Sequence, residues 1–207
     1  MATPQEIQAA LSGFPRALAW TNFRNVQASP SPPHEALTSV SWSMGSWSVH
    51  VVNGEYRVRN PRVTVALNGH ASWATPSAKS STALLQHEQG HFDITGLIAR
   101  DLISKVLDLS LDVAVVAALR DAGTTPSAHQ RYVTQQFQAD INRFAQEANA
   151  LGAQLQTNPA THADGLYDVQ TNHSQNTAVQ QAWNTRLQAI KSSNQSFELA
   201  LRLEGLI

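Results

Sequence analysis

Cysteine is absent from the 207 residues. That excludes a disulfide scaffold and a thiolate metal site, so any metal must be held by His, Asp or Glu. It leaves the redox compartment undetermined. Charge is scarce: charged residues make up 14% of the chain, against an average near 25%. Gln, Asn, Ser and Thr fill the polar surface instead. The net charge of −1 gives no basic field to attract nucleic acid or an anionic membrane, and neither is expected as a partner. Long apolar runs are missing too. The longest, residues 113–119, is far too short to span a bilayer. The first residues, Met1-Ala2-Thr3-Pro4-Gln5-Glu6, have no basic n-region and no apolar h-region, so no signal peptide is expected in this chain. What remains is a soluble globular composition, 42% hydrophobic, long enough to bury a sizeable core.

The informative feature is His87-Glu88-Gln89-Gly90-His91. On a helix, residues four apart lie one above the other on the same face. Two imidazoles so placed can share one metal ion, usually Zn²⁺. Glu88 sits one step round the helix, within reach of a water held by that metal. This is the HExxH pattern of zinc peptidases, with two ligands and a general base. Chance produces it in a chain of this composition roughly 0.01 times. Its context fits, because Leu84, Leu85, Ile94, Leu97, Ile98 and Leu102 form the apolar stripe of one amphipathic helix. The bland alternative is a pair of ordinary helix histidines.

The pattern along the chain predicts an α+β protein. A single domain over 1–207 is expected, with a mainly β lobe over 1–79 and a helical lobe with the metal site over 80–207. Residues 4–12 read as a short helix capped by Thr3. Ser29-Pro30-Ser31-Pro32-Pro33 reads as a loop. Strands are expected over 37–47, 48–52 and 56–67, in one small twisted sheet, with a turn at Asn53-Gly54. Everything after Ser80 reads helical. A motif helix capped by Ser80, Ser81 or Thr82 runs to about Leu107. A short helix covers 113–121 and a long one 127–156. Residues 158–173 are irregular, and a last helix starts at Ser174 or Asn176.

Two histidines do not complete a catalytic zinc site; three protein ligands and a water are usual. His34, His50, His70, His129, His162 and His173 are available. His34 and His50 read as surface or packing residues, and His129 as a capping or solvated one. His162 and His173 lie in or beside the irregular segment, which could bend back onto the motif helix. Asp168 and Glu147 are the carboxylate alternatives.

Beyond these residues, the chain resembles a bacterial family of unknown function described as secreted zinc-dependent proteases, in the zincin-like metallopeptidase clan. The resemblance is carried by Leu84-Leu85-Gln86-His87-Glu88-Gln89-Gly90-His91-Phe92-Asp93-Ile94. It is carried also by Leu18-Ala19-Trp20-Thr21-Asn22-Phe23, by Ser72-Trp73, and by Tyr167-Asp168-Val169-Gln170-Thr171-Asn172-His173 followed by Gln181 and Trp183. Ser174 departs from the glycine expected there. The resemblance implies a zincin-like fold, one Zn²⁺ per chain and a secreted or periplasmic location. It favours His173 as third ligand beside His87 and His91. Asp168 or Asp93 is then left to receive a ligand's second N–H. Tyr167 is expected either to donate to a developing oxyanion, as a catalytic residue beside Glu88, or to anchor its loop. Gly90, costly inside a helix, suggests close packing of the third-ligand loop. The expected activity is peptide-bond hydrolysis on a peptide or protein substrate. The alternatives are an amidohydrolase of cell-wall or other non-protein amides, and a zinc-containing interaction protein without catalysis.

Overall fold

The computed structural model describes residues 1–31, 34–156, 164–193 and 195–207. Pro32, Pro33 and His162 lie outside them. The protein is mixed α+β, with nine strands and seven α-helices among the described residues.

Local signals act where the sequence places them. Helix α1 (Pro4–Ala10) is capped by Thr3, whose side chain accepts from Glu6 N while Glu6 returns a bond to the Thr3 backbone. This is a reciprocal capping box. The chain then turns directly into strand β1 (Leu11–Ser12). Strands β5 (Ser48–Val52) and β6 (Glu55–Arg59) form a hairpin, with Val52 opposite Glu55. Asn53 and Gly54 make its two-residue turn at φ 53° and 81°, the left-handed pair that such hairpins favour. Pro61 separates β6 from β7 (Val63–Leu67), which splits the single strand expected over 56–67.

The strands form three three-stranded sheets rather than one. In the first, β7 lies between β1 and β4 (Val40–Met44). In the second, β8 (Trp73–Ala74) lies between β2 (Arg24–Asn25) and β3 (Ala36–Leu37). In the third, β6 lies between β5 and β9 (Ser110–Asp112), with Tyr56 opposite Leu111. Strand β9 corrects the expectation that everything after Ser80 is helical. Three residues carry no readable period, and only pairing with a distant strand makes them β. Strand β1 covers only the first two residues of β7, with Leu11 opposite Val63 and Ser12 opposite Thr64.

The helices follow as α2 (Thr82–Leu107), α3 (Val113–Ala118), α4 (Pro126–Leu155), α5 (Leu166–Thr171), α6 (Thr177–Ser192) and α7 (Phe197–Leu203). Ser81 Oγ accepts from Leu84 N and starts α2. Asn176 caps α6 through Val179 N. Helix α5 falls in the segment expected to be irregular, and α7 is a separate short helix within the stretch that reads helical.

The chain divides into two compact units that cut across the expected boundary at residue 79. The first comprises Met1–Ser12, Ser43–Thr64 and Ala99–Asn149. It buries Tyr56, Val58, Leu102, Ile103, Val106, Val133, Phe137 and Ile141. The second comprises Gly13–Trp42, Val65–Ile98 and Ala150–Ile207. It contains every segment that carried the family resemblance. Its core is made by Phe92, Ile94, Leu97, Tyr167, Trp183, Leu187, Phe197 and Leu201. Fully burying side chains of this size contributes about 1.5–3 kcal/mol each.

Within the second unit, α2 is buried at every position from Phe92 to Ile98. A helix enclosed all round must satisfy its polar residues internally. Asp93 therefore takes Lys191 Nζ at 2.6 Å and Gln89 Nε2 at 2.9 Å. Burial raises its carboxyl group above the ordinary range, and Lys191 opposes that rise. Gln89 also donates to Arg16 O and accepts from Leu18 N, tying residues 16–18 to the motif helix.

Candidate metal centre

All the residues of the candidate site belong to the second unit. His87 and His91 project from one face of α2, and Asp168 from the first turn of α5. Asp168 Oδ1 lies 3.3 Å from His87 Nε2 and 3.0 Å from His91 Nε2, and the two Nε2 atoms are 3.2 Å apart. Metal bonds of about 2.0–2.1 Å at tetrahedral angles set donor atoms about 3.3–3.4 Å apart. The observed triangle is close to one face of such a tetrahedron. These three residues form a group able to hold a metal ion.

Two close approaches bring α5 to α2. A Cβ on Gly90 would lie 2.0 Å from Tyr167 Oη, so only glycine lets Tyr167 seat against the motif helix. The close packing expected at Gly90 is thus supplied by the residue next to Asp168. A Cβ on Gly165 would lie 2.2 Å from Gln156 N, so glycine also lets α5 start directly on the end of α4. Asp168 then falls on the side of α5 that faces the two histidines.

The electrostatics follow from the triangle. Burial alone would push His91 down, but the Asp168 carboxylate outweighs it and raises His91 to about 9. Asp168 is held well below the usual carboxylate range; burial opposes this, and His91 and His87 more than offset it. Three acceptor atoms this close need a cation between them, and without a metal a proton serves. The sign of the pH effect follows. His91 has a folded value above its ordinary 6.5, so its stabilising contribution is present below that pH and lost as pH rises through about 9. The melting temperature of the zinc-free protein should therefore fall between those values. Any increment conferred by a metal bound at the triangle should widen over the same interval, because protons compete for the same Nε2. Thermal melts with and without zinc across this range check it; an increment independent of pH would contradict the triangle.

The expected third ligand, His173, stands beside this group rather than in it. Its Nδ1 is 3.8 Å from Asp168 Oδ1, its Nε2 is 3.4 Å from Asp164 Oδ2, and its side chain is 30% exposed. Asp168 is the residue that joins His87 and His91 in the group able to hold a metal. Helix α5 ends at Asn172, and Asn172, His173 and Ser174 all have positive φ. The His173 ring lies next to the triangle, 6.0 Å from the His87 ring and 4.7 Å from the His34 ring between centroids. Glu147 pairs with Lys105 and Arg143 in the first unit.

Tyr167 also differs from its expected catalytic role. It is fully buried, stacks on His87 at 4.9 Å between centroids, donates to His87 O and accepts from Gln180 Nε2. Burial raises its phenol above the ordinary range. Its one proton is committed to a main-chain carbonyl, so the geometry supports the anchoring role.

Glu88 is 3% exposed. Among the described residues, its Oε2 is the buried side-chain polar atom that no hydrogen bond reaches. Its negative charge favours the protonated forms of both His91 and Tyr167.

Three neighbours of the ligands escaped sequence reasoning. His87 Nδ1 meets Gln180 Oε1 at 3.1 Å and Thr171 Oγ1 at 3.3 Å, and His91 Nδ1 meets Gln156 Oε1 at 3.1 Å. The signal for Gln180 was present. Gln180, Trp183, Leu187 and Ile190 form the buried stripe of α6, while Val179, which apolar character favoured, is only half-buried. A polar residue at a stripe position marks a buried hydrogen bond. No family model matches the chain, and no curated protein or solved structure is significantly similar to it, so the family resemblance rests on the residues that carry it.

Proposed function

We propose that the protein is a zinc-dependent peptidase of the zincin type, with His87, His91 and Asp168 holding one Zn²⁺ and Glu88 acting as general base. The donor set of two imidazoles and one carboxylate fits a catalytic zinc, which keeps a fourth position for water or substrate. Bound there, zinc supplies a Lewis acid that polarises a carbonyl and makes a water more acidic.

The observation that carries the reading is Glu88. A buried carboxylate oxygen without a partner is costly. A metal held only for structure has no use for it. In this reading Glu88, next to His87 on the motif helix, uses its unpartnered Oε2 to accept a proton from the attacking water and to return it to the amide nitrogen as the C–N bond breaks. Tyr167, Thr171, Gln180 and Gln156 hold the ligands in place and take no part in that transfer.

The zinc-loaded protein should cleave members of a broad peptide library, and protein stripped by a chelator should not, with cleavage restored on adding zinc. Mass spectrometry of the products reads this. Zinc bound with no cleavage of any peptide would remove the peptidase reading in favour of a non-peptide amide substrate or an interaction protein.

A further inference from the structure

Each histidine of the cluster has a glutamine behind it, and the direction of every hydrogen bond in between is determined. Tyr167 Oη lies 3.1 Å from His87 O, and a carbonyl only accepts, so the phenol's one proton points there. The Gln180 atom 2.7 Å from Tyr167 Oη must then be a donor, its Nε2. That turns Gln180 Oε1 towards His87 Nδ1 at 3.1 Å, which must carry the proton. Thr171 agrees, since its hydroxyl donates to Tyr167 O at 2.7 Å and can only accept from His87. The second histidine repeats the arrangement with other residues. Thr95 Oγ1 donates to His91 O at 3.1 Å, so Gln156 Nε2 donates to Thr95 and Gln156 Oε1 accepts from His91 Nδ1, each at 3.1 Å.

We infer that Gln180 and Gln156 are positioning residues that select the tautomer of both ligands, each relayed from that histidine's own main-chain carbonyl through Tyr167 or Thr95. The inference rests on the zinc reading of the site. Each relay begins and ends on one residue. The helix backbone of α2 thereby orients the ring it carries, so that both Nε2 atoms face Asp168 and the proton a metal would displace is the one on Nε2. An imidazole free to choose either tautomer would present a proton to the metal part of the time. Ligand-orienting partners of this kind are worth about 10–100-fold in metal affinity.

The test uses Gln156, which is half-buried at the end of α4 and tolerates exchange better than Gln180. Zinc affinity is measured by competition with a chelating dye for wild type, Gln156→Leu and Gln156→Glu. Thermal melts confirm that each variant folds. Gln156→Leu should bind zinc about 10–100-fold more weakly. Gln156→Glu, which still accepts from His91, should bind more tightly than the Leu variant. A mere packing role gives the opposite order, because leucine fills the space and a glutamate brings in a charge. Thr95→Val, which touches no ligand ring but removes the relay's donor, should weaken binding in the same sense. Wild-type affinity in Gln156→Leu, or Glu binding no better than Leu, overturns the inference. A wild-type protein that binds no zinc at all overturns the zinc reading instead, so the two failures are distinguishable.

Discussion

Glu88→Gln should fold, retain zinc and hydrolyse peptides about 10²–10⁴-fold more slowly than wild type, the usual worth of a positioned general base. The substitution preserves size and helix propensity but cannot accept the water's proton. Its effect on stability should run the other way. Glu88 Oε2 is buried without a hydrogen-bond partner, and a neutral amide costs less to bury than a carboxylate. The melting temperature should therefore hold or rise, by a few degrees if the gain is about 1 kcal/mol in a chain of this size. An active site that is destabilised where it works is the usual form of a stability–activity trade-off. Kinetics, zinc content and a melt on the same preparation read all three quantities. Equal turnover by the two proteins would remove Glu88 as the base. A large loss of stability would mean that its carboxylate is held by partners after all.

Asp168→Ala should weaken zinc binding by about 10²–10⁴-fold, while His173→Ala should leave it within about tenfold of wild type. Structural zinc sites bind with about 10–16 kcal/mol. Losing one of three protein ligands therefore removes about 3–5 kcal/mol, or about 10²–10⁴-fold in affinity. The same substitution removes the anion that holds His91 up at about 9. The zinc-free Asp168 variant should then lose the decline in stability between pH 6.5 and 9 that the wild type shows. Zinc titrations on both variants separate the ligand implied by the family resemblance from the one the fold presents. A His173 variant as weak as the Asp168 variant would place His173 among the ligands.

The elements readable from the residues were those set by neighbours in the chain. Ser81 begins the motif helix, Asn176 caps α6, and Asn53-Gly54 closes the hairpin. In each case a side chain or a backbone conformation acts within four residues. The spacing of His87 and His91 places both rings on one face of α2 for the same reason, and Glu88 follows from being adjacent. Strands β1 and β9 were not readable. Leu11–Ser12 and Ser110–Asp112 are too short for a period of two to show, and their partners at Val63–Thr64 and at Glu55, Tyr56 and Arg57 are far away in the chain.

The choice of third ligand belongs to the tertiary structure alone. Asp168 and His173 sit five residues apart in one segment, and both are competent donors. What separates them is how that segment meets α2. Gly90 admits Tyr167 and Gly165 admits the end of α4, which sets Asp168 3.0–3.3 Å from the two Nε2 atoms, while His173 Nδ1 stays 3.8 Å from Asp168 Oδ1. Gln156, just beyond α4, and Gln180, on α6, meet the two rings only through the tertiary fold. Chemical identity determined which side chains could bind a metal. Close packing at two glycines decided which of them come together, because contacts between distant segments depend on approach and direction, which residue spacing does not carry.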